Sequence, residues 1–181
     1  MGIILEGPDA SGKSTLGRAM ASRTGSDLHL SGGAPKTDQQ MWEMIQEQEY
    51  AASTGMIVDR VSCISQQVYR DGLFLRSDLM AESRRLLASR VNLLVYARPP
   101  DHVLMNPNFH EWKDYDTEEW KVKILANQAD YVKRYDLLMA ELPCLVFDWT
   151  DESSHHIQEL LCDFRNPDVF ARLLEMAHRG K

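Results

Sequence analysis

Short apolar runs recur along the chain without polar alternation: IILE at 3–6, LHL at 28–30, MIV at 56–58, NLLVY at 92–96 and CLVFD at 144–148. Each is too short for a helix, and the missing alternation predicts strands covered on both faces. Longer amphipathic stretches separate them. Residues 12–24 read as a helix closed by Gly25, since glycine tolerates the left-handed turn that ends helices. Residues 39–53 carry Met41, Trp42, Ile45 and Tyr50 at helical spacing. Residues 62–70, 77–90 and 116–142 also read as helices, the last with Asp116 and Glu119 as a D-x-x-E start. Two more helices follow, split near Asn166-Pro167. The SGGAPKTD stretch at 31–38 reads as a loop, and 98–116 as largely irregular because of its prolines and asparagines. Strand–helix alternation five times over predicts an α/β fold with a five-stranded parallel sheet. Without repeats, low-complexity tracts or linkers, residues 1–181 read as one domain.

Composition narrows the partners. The net charge of −7 argues against a broad grip on nucleic acid, which needs basic surface to release counterions. Three scattered cysteines without C-x-x-C point to a reducing compartment, and no Cys/His cluster has zinc-ligand spacing. No apolar run approaches a membrane span and GIIL is too short for a signal peptide, so a cytoplasmic protein is expected.

The chemistry begins at GPDASGKST, which fits G-x-x-x-x-G-K-[ST] between a predicted strand and a helix start. Gly7, Pro8, Asp9, Ala10, Ser11, Gly12, Lys13, Ser14 and Thr15 would cradle a triphosphate, expected to be ATP, on inward-facing N–H groups and the helix N-terminus. Lys13 would reach the β- and γ-phosphates, and the Ser14 hydroxyl would ligate Mg²⁺. Asp9 lies at the loop tip, where a carboxylate beside phosphates needs a cation or hydroxyl to offset it. Asp59 and Arg60 follow MIV at a strand's carboxyl end, where α/β proteins bind ligands. Asp59 would hold Mg²⁺ through water, and Arg60 an acceptor phosphate in bidentate fashion.

The combination IILEGPDASGKST, IVDR and SCISQQVY resembles the thymidylate kinase group of P-loop nucleoside monophosphate kinases, in particular compact phage-encoded members. ADYVKRYDLL is similar to that group's tyrosine-bearing helix after the lid. The resemblance implies a three-layer P-loop sandwich and a homodimer. It places Asp9 at the acceptor's 3′-hydroxyl and Arg60 on its phosphate. Ser65, Gln66 or Gln67 would face the base, with Tyr69 beside the sugar, favouring a deoxynucleotide.

Departures from the pattern carry their own expectations. Val61 stands where the group has tyrosine, and HLSGGAPKT replaces a segment that supplies an arginine or aromatic. Lys36 would then provide charge, while the glycine pair leaves room for a modified pyrimidine or a purine. Ala10 excludes a P-loop arginine, so the cation for the transferred group should come from elsewhere: Arg98 at a strand end, Arg70 or Arg76, or Lys113, Lys121 and Lys123 in a lid-like segment near 98–123. Phe109, Trp112 and Tyr115 read first as packing anchors, and Trp149 as core or base-stacking.

The leading reading is transfer of the ATP γ-phosphate to a dNMP, a small-molecule acceptor whose anionic oxygen needs no strong base. A second keeps the donor site and phosphorylates a hydroxyl of a deoxynucleoside or of a modified base in DNA, which requires a base such as Asp9 or Asp59. A GTPase switch lacks its D-x-x-G and N-K-x-D elements here.

Overall fold

The computed structural model describes residues 1–88, 91–110, 112 and 117–179. Strands β1 (Gly2–Glu6), β2 (Leu28–Leu30), β3 (Ile57–Asp59), β4 (Asn92–Ala97) and β5 (Leu145–Phe147) form one sheet in the order β2-β3-β1-β4-β5. Every neighbouring pair is parallel. Helices α1 (Lys13–Thr24), α2 (Asp38–Ser53), α3 (Ser62–Tyr69), α4 (Ser77–Ala88), α5 (Asp101–Leu104), α6 (Glu118–Met139), α7 (Ser154–Leu161) and α8 (Pro167–Arg179) cover it, with a 3₁₀ turn at Pro107–Phe109. This is the expected three-layer P-loop architecture.

Strand side chains alternate between faces, so each strand feeds two cores. Ile3, Leu5, Ile57, Leu93 and Val95 pack with Leu16 and Met20 of α1 and Phe170 and Leu173 of α8. Ile4, Val58, Leu94 and Tyr96 face the other way, toward Met41 and Ile45 of α2, Ile64 of α3, Leu79 of α4 and Tyr135 of α6. Two-sided burial fails at the sheet edges, where Leu30 is 58% and Val146 53% exposed, because an edge strand lacks one neighbour.

Several boundaries differ from expectation. β3 starts and ends one residue later than 56–58, so Asp59 belongs to the ladder opposite Leu5 and Leu30. Arg60 then leaves the sheet at φ +73°, a left-handed turn that a non-glycine residue adopts only when its surroundings enforce it. α6 is capped by Thr117, whose hydroxyl accepts from the Trp120 N–H at 3.2 Å; Asp116 lies outside the described residues. Residues 98–116 are not wholly irregular, since α5 and the 3₁₀ turn fall there. Gly25 ends α1 at φ +64°, as its position suggested. No helix among the described residues is long and apolar enough to cross a membrane.

Candidate functional site

β1 delivers the chain into the glycine-rich loop. Gly7, Ala10 and Gly12 all have positive φ there, which curls the backbone. A Cβ at Gly7 would stand 2.5 Å from the Ala97 carbonyl, and one at Gly12 would stand 2.8 Å from the Trp149 ring. Both positions therefore exclude a side chain by contact as well as by conformation. No side chain caps α1, and its first turn carries no acid. Its leading N–H groups and dipole are thus left to an anion. The buried Ser11 hydroxyl makes no hydrogen bond among the described residues. Lys13 folds back on the loop, donating from Nζ to the Pro8 carbonyl at 3.3 Å. Burial and the Arg60 charge push its ammonium below the ordinary range, against the opposing pull of Asp59, Asp9 and Glu6. An incoming phosphate would relieve both by supplying negative charge.

The Ser14 hydroxyl donates to Asp59 Oδ2 at 2.6 Å, while the buried Asp59 Oδ1 has no hydrogen-bond partner among the described residues. A hydroxyl and a carboxylate with a spare lone pair fit Mg²⁺, which prefers oxygen and takes most of its shell from water and phosphate. Among the described residues no group of three or more His, Cys, Asp or Glu is placed to hold a metal, so the protein would contribute only this pair.

Arg60 is the hub beside that loop. It donates to Asp9 Oδ1 at 2.7 Å and to the Tyr135 hydroxyl at 2.9 Å. Its guanidinium lies 4.8 Å from the Tyr69 ring centre, within cation–π range. Burial alone would raise the Asp9 carboxyl, but Arg60, Lys13, Tyr69 and His110 outweigh it and hold the group below the usual carboxylate range. Even so, 32% of the Asp9 side chain stays open at the tip. The Tyr69 hydroxyl is buried without a hydrogen bond of normal geometry, and its ring packs on Tyr131 and Tyr135.

Sequence reasoning missed three contributors. Glu6, the last residue of β1, is fully buried; it accepts from the Val61 N–H at 2.6 Å and the Tyr135 hydroxyl at 3.0 Å. Burial lifts its carboxyl to about 7, against the lowering effects of Arg60, Val61, Tyr135 and Lys13. On α6, Gln128 donates to the Asp9 carbonyl at 2.9 Å and to the Leu104 carbonyl at 3.3 Å. His110 sits against the same Leu104 carbonyl at 3.4 Å and stacks on Trp112. Gln128, Tyr131 and Tyr135 recur at i, i+3 and i+7, so one face of α6 meets the loop tip and α3; that spacing was the available signal.

The structure thus brings together Asp9, Lys13, Ser14, Asp59, Arg60 and Tyr69. Ser65 and Gln66 are buried on α3, at 6% and 8% exposure, while Gln67 is sealed in, donating to the Cys63 carbonyl. Other candidates are engaged elsewhere. Arg98 is tied to Asp136, Asp101 and the Pro99 carbonyl, so three acceptors hold the guanidinium proposed as a catalytic cation. Arg76 pairs with Asp78 and Asp38, and Arg70 with Asp38. Lys36 is exposed, its N–H bound to Gln40 Oε1, in an open groove against Met44 and Glu47. Lys121 pairs with Glu118, and Lys123 lies over Trp120. Lys113 and Tyr115 fall outside the described residues. Trp112 packs on the core, whereas Phe109 is 46% exposed and meets Trp149 edge-on beside the phosphate loop.

No family model and no curated protein matches the chain. Among solved structures, the YorR protein of Bacillus subtilis, crystallised in complex with phosphorylated GDP, matches with a TM-score of 0.64. Identity is 17%, over 90% of this chain and 96% of that one. The two share a fold.

Proposed function

We propose that the protein is an ATP-dependent deoxynucleoside monophosphate kinase of thymidylate kinase-like type. One observation carries the reading: Arg60 stands at the tip of the phosphate loop, tied to Asp9 while Lys13 and the Ser14–Asp59 pair occupy the same loop's interior. A phosphate-gripping cation beside a triphosphate cradle is what transfer between two phosphates requires. The arginine's remaining N–H donors would take the acceptor phosphate, and the open part of Asp9 a sugar hydroxyl. Lys13 would follow the γ-phosphate as charge develops. Mg²⁺, held by Ser14 and Asp59, would neutralise charge on the phosphates when bound. Tyr69, its ring against the Arg60 guanidinium, would border the sugar.

A monophosphate acceptor fits better than a hydroxyl acceptor. Hydroxyl attack needs a base, and Arg60 both lowers the proton affinity of Asp9 and occupies its Oδ1. Glu6 has the affinity but is fully buried. The related fold that holds phosphorylated GDP supports a nucleotide as ligand.

The test is phosphoryl transfer from ATP–Mg²⁺ to each dNMP, NMP and nucleoside and to an oligonucleotide, with Lys13→Ala as blank. Formation of a dNDP is expected. Phosphorylation of only the nucleoside or the oligonucleotide would overturn the assignment of Arg60 to an acceptor phosphate.

A further inference from the structure

Glu6 is a buried acid that the proposed transfer does not use, and it touches the two neighbours that define Arg60. Its Oε1 accepts from Val61, the residue directly after Arg60, and its Oε2 accepts from Tyr135. The Tyr135 oxygen in turn accepts from Arg60 Nη1 at 2.9 Å. The Arg60 N–H is pinned to the Leu5 carbonyl, one residue before Glu6. Two consecutive residues of β1 thus clamp two consecutive residues after β3, across the left-handed turn at Arg60.

While Glu6 is ionised, the polarity of this chain is fixed. A tyrosine hydroxyl has one proton. It accepts from Arg60 while that proton points away from the guanidinium, toward another acceptor. Tyr135 is fully buried between Tyr96 and Tyr69, so Glu6 is the acceptor its hydroxyl finds. A side chain of the same shape that presented a donor to Tyr135 would turn the hydroxyl proton toward the guanidinium.

The geometry points to Glu6 as a positioning residue for the acceptor side: through Tyr135 and Val61 it sets the direction in which Arg60 presents its free donors. Glu6 itself is sealed from ligand. Its charged and titratable surroundings are Lys13 from α1, Arg60, Cys63 and Tyr69 from the β3–α3 region and Tyr135 from α6. The inference builds on the acceptor role given to Arg60 above, so its test needs a readout independent of turnover.

Two variants separate positioning from bulk structure. Glu6→Gln keeps the volume and the bond to Val61 but offers Tyr135 a donor. Tyr135→Phe leaves Glu6 intact and removes only the linking oxygen. Above about pH 8, where Glu6 is ionised, each should raise the acceptor KM about tenfold, the size expected for one hydrogen bond to a charged group. The ATP KM should stay within about twofold, since the donor cradle is untouched. Because Glu6 reaches Arg60 largely through Tyr135, the double variant should be little worse than the poorer single one. Equal shifts in both KM values, or additive effects, would overturn the positioning role.

The turnover-independent readout is the NMR spectrum of the arginine side-chain Nη–H groups, with Arg60 assigned by loss of its signal in Arg60→Lys. Slowly exchanging Arg60 signals are expected in the native protein and averaged ones in both variants. Unchanged signals in Glu6→Gln would overturn the inference whatever the enzyme phosphorylates. If no dNMP is turned over, the proposed function fails, and these signals still decide the role of Glu6.

Discussion

Arg60 shows how one side chain can depend on strain elsewhere. Its φ of +73° costs about 1–2 kcal/mol for a residue with a Cβ. The bonds to Leu5, Asp9 and Tyr135 and the Tyr69 ring offset that cost. Lysine would retain the charge but lose the planar fork that holds two partners at once. Arg60→Lys should therefore lower kcat/KM for the acceptor by about 100-fold, with the ATP KM nearly unchanged, measured under initial-rate conditions. The two loop glycines differ in what surrounds them. At Gly12 the obstacle is the Trp149 ring, a side chain at the surface; at Gly7 it is the Ala97 carbonyl, which is backbone in the central sheet. Gly12→Ala should destabilise by about 2 kcal/mol, and Trp149→Ala should recover part of that loss. Gly7→Ala should lose more with nothing to recover it. Urea unfolding of the three proteins would rank them.

Where β1, β3 and α6 meet, titration of Glu6 couples the elements to pH. Burial raises the folded-state value to about 7, above the ordinary range of a glutamate carboxyl. A raised carboxyl adds stability that is complete below the unfolded value and is lost as pH rises through the folded one. Between those limits the folded chain binds more protons than the unfolded chain, so this group makes stability fall with rising pH. Asp9, with its lowered value, acts in the opposite sense: its contribution is present above the unfolded value and lost as pH falls. Glu6→Gln removes the first effect and keeps the second. Relative to this variant, native protein should lose on the order of 3 kcal/mol between about pH 5 and pH 8. Urea midpoints of both proteins across that range measure the gap, and a gap that does not change with pH would refute the assignment. Little of this junction was legible in the sequence. Glu6 reads there as the end of an apolar run, and its partners lie 55 and 129 residues away, beyond any local pattern. The phosphate loop was legible because its strand, glycines, lysine and helix start are contiguous, so local sterics and the helix dipole decide it. Arg98 shows the converse: its strand-end position was legible, but its bond to Asp136, on a helix 38 residues further on, was not.

Across the whole molecule, every group assigned to the donor site lies at the carboxyl ends of β1 and β3, where the chain leaves β1 toward β2 and leaves β3 in the opposite direction toward β4. The order β2-β3-β1-β4-β5 places β1 in the middle with α1 starting directly from it. A nucleotide bound there lies at the end of the strand that feeds both cores, since Ile3 and Leu5 of β1 pack with Leu16 and Met20 of α1 on one face and Ile4 enters the other core. Binding should therefore stabilise the fold as a unit. For a ligand at a hundred times its dissociation constant the gain is about 2.7 kcal/mol. In a chain of 181 residues that corresponds to a Tm rise of roughly 5–10 °C. The Ser14–Asp59 pair makes part of this rise depend on metal. With ADP and Mg²⁺ the native protein should show the full shift, and with ADP and a chelator a smaller one. Asp59→Asn replaces a carboxylate oxygen by an amide, weakening the cation's hold without emptying the position. This variant should show a similar, reduced shift with or without the chelator. A native protein whose ADP-induced shift ignores the chelator would show that Ser14 and Asp59 form a hydrogen bond within the fold and take no part in holding Mg²⁺.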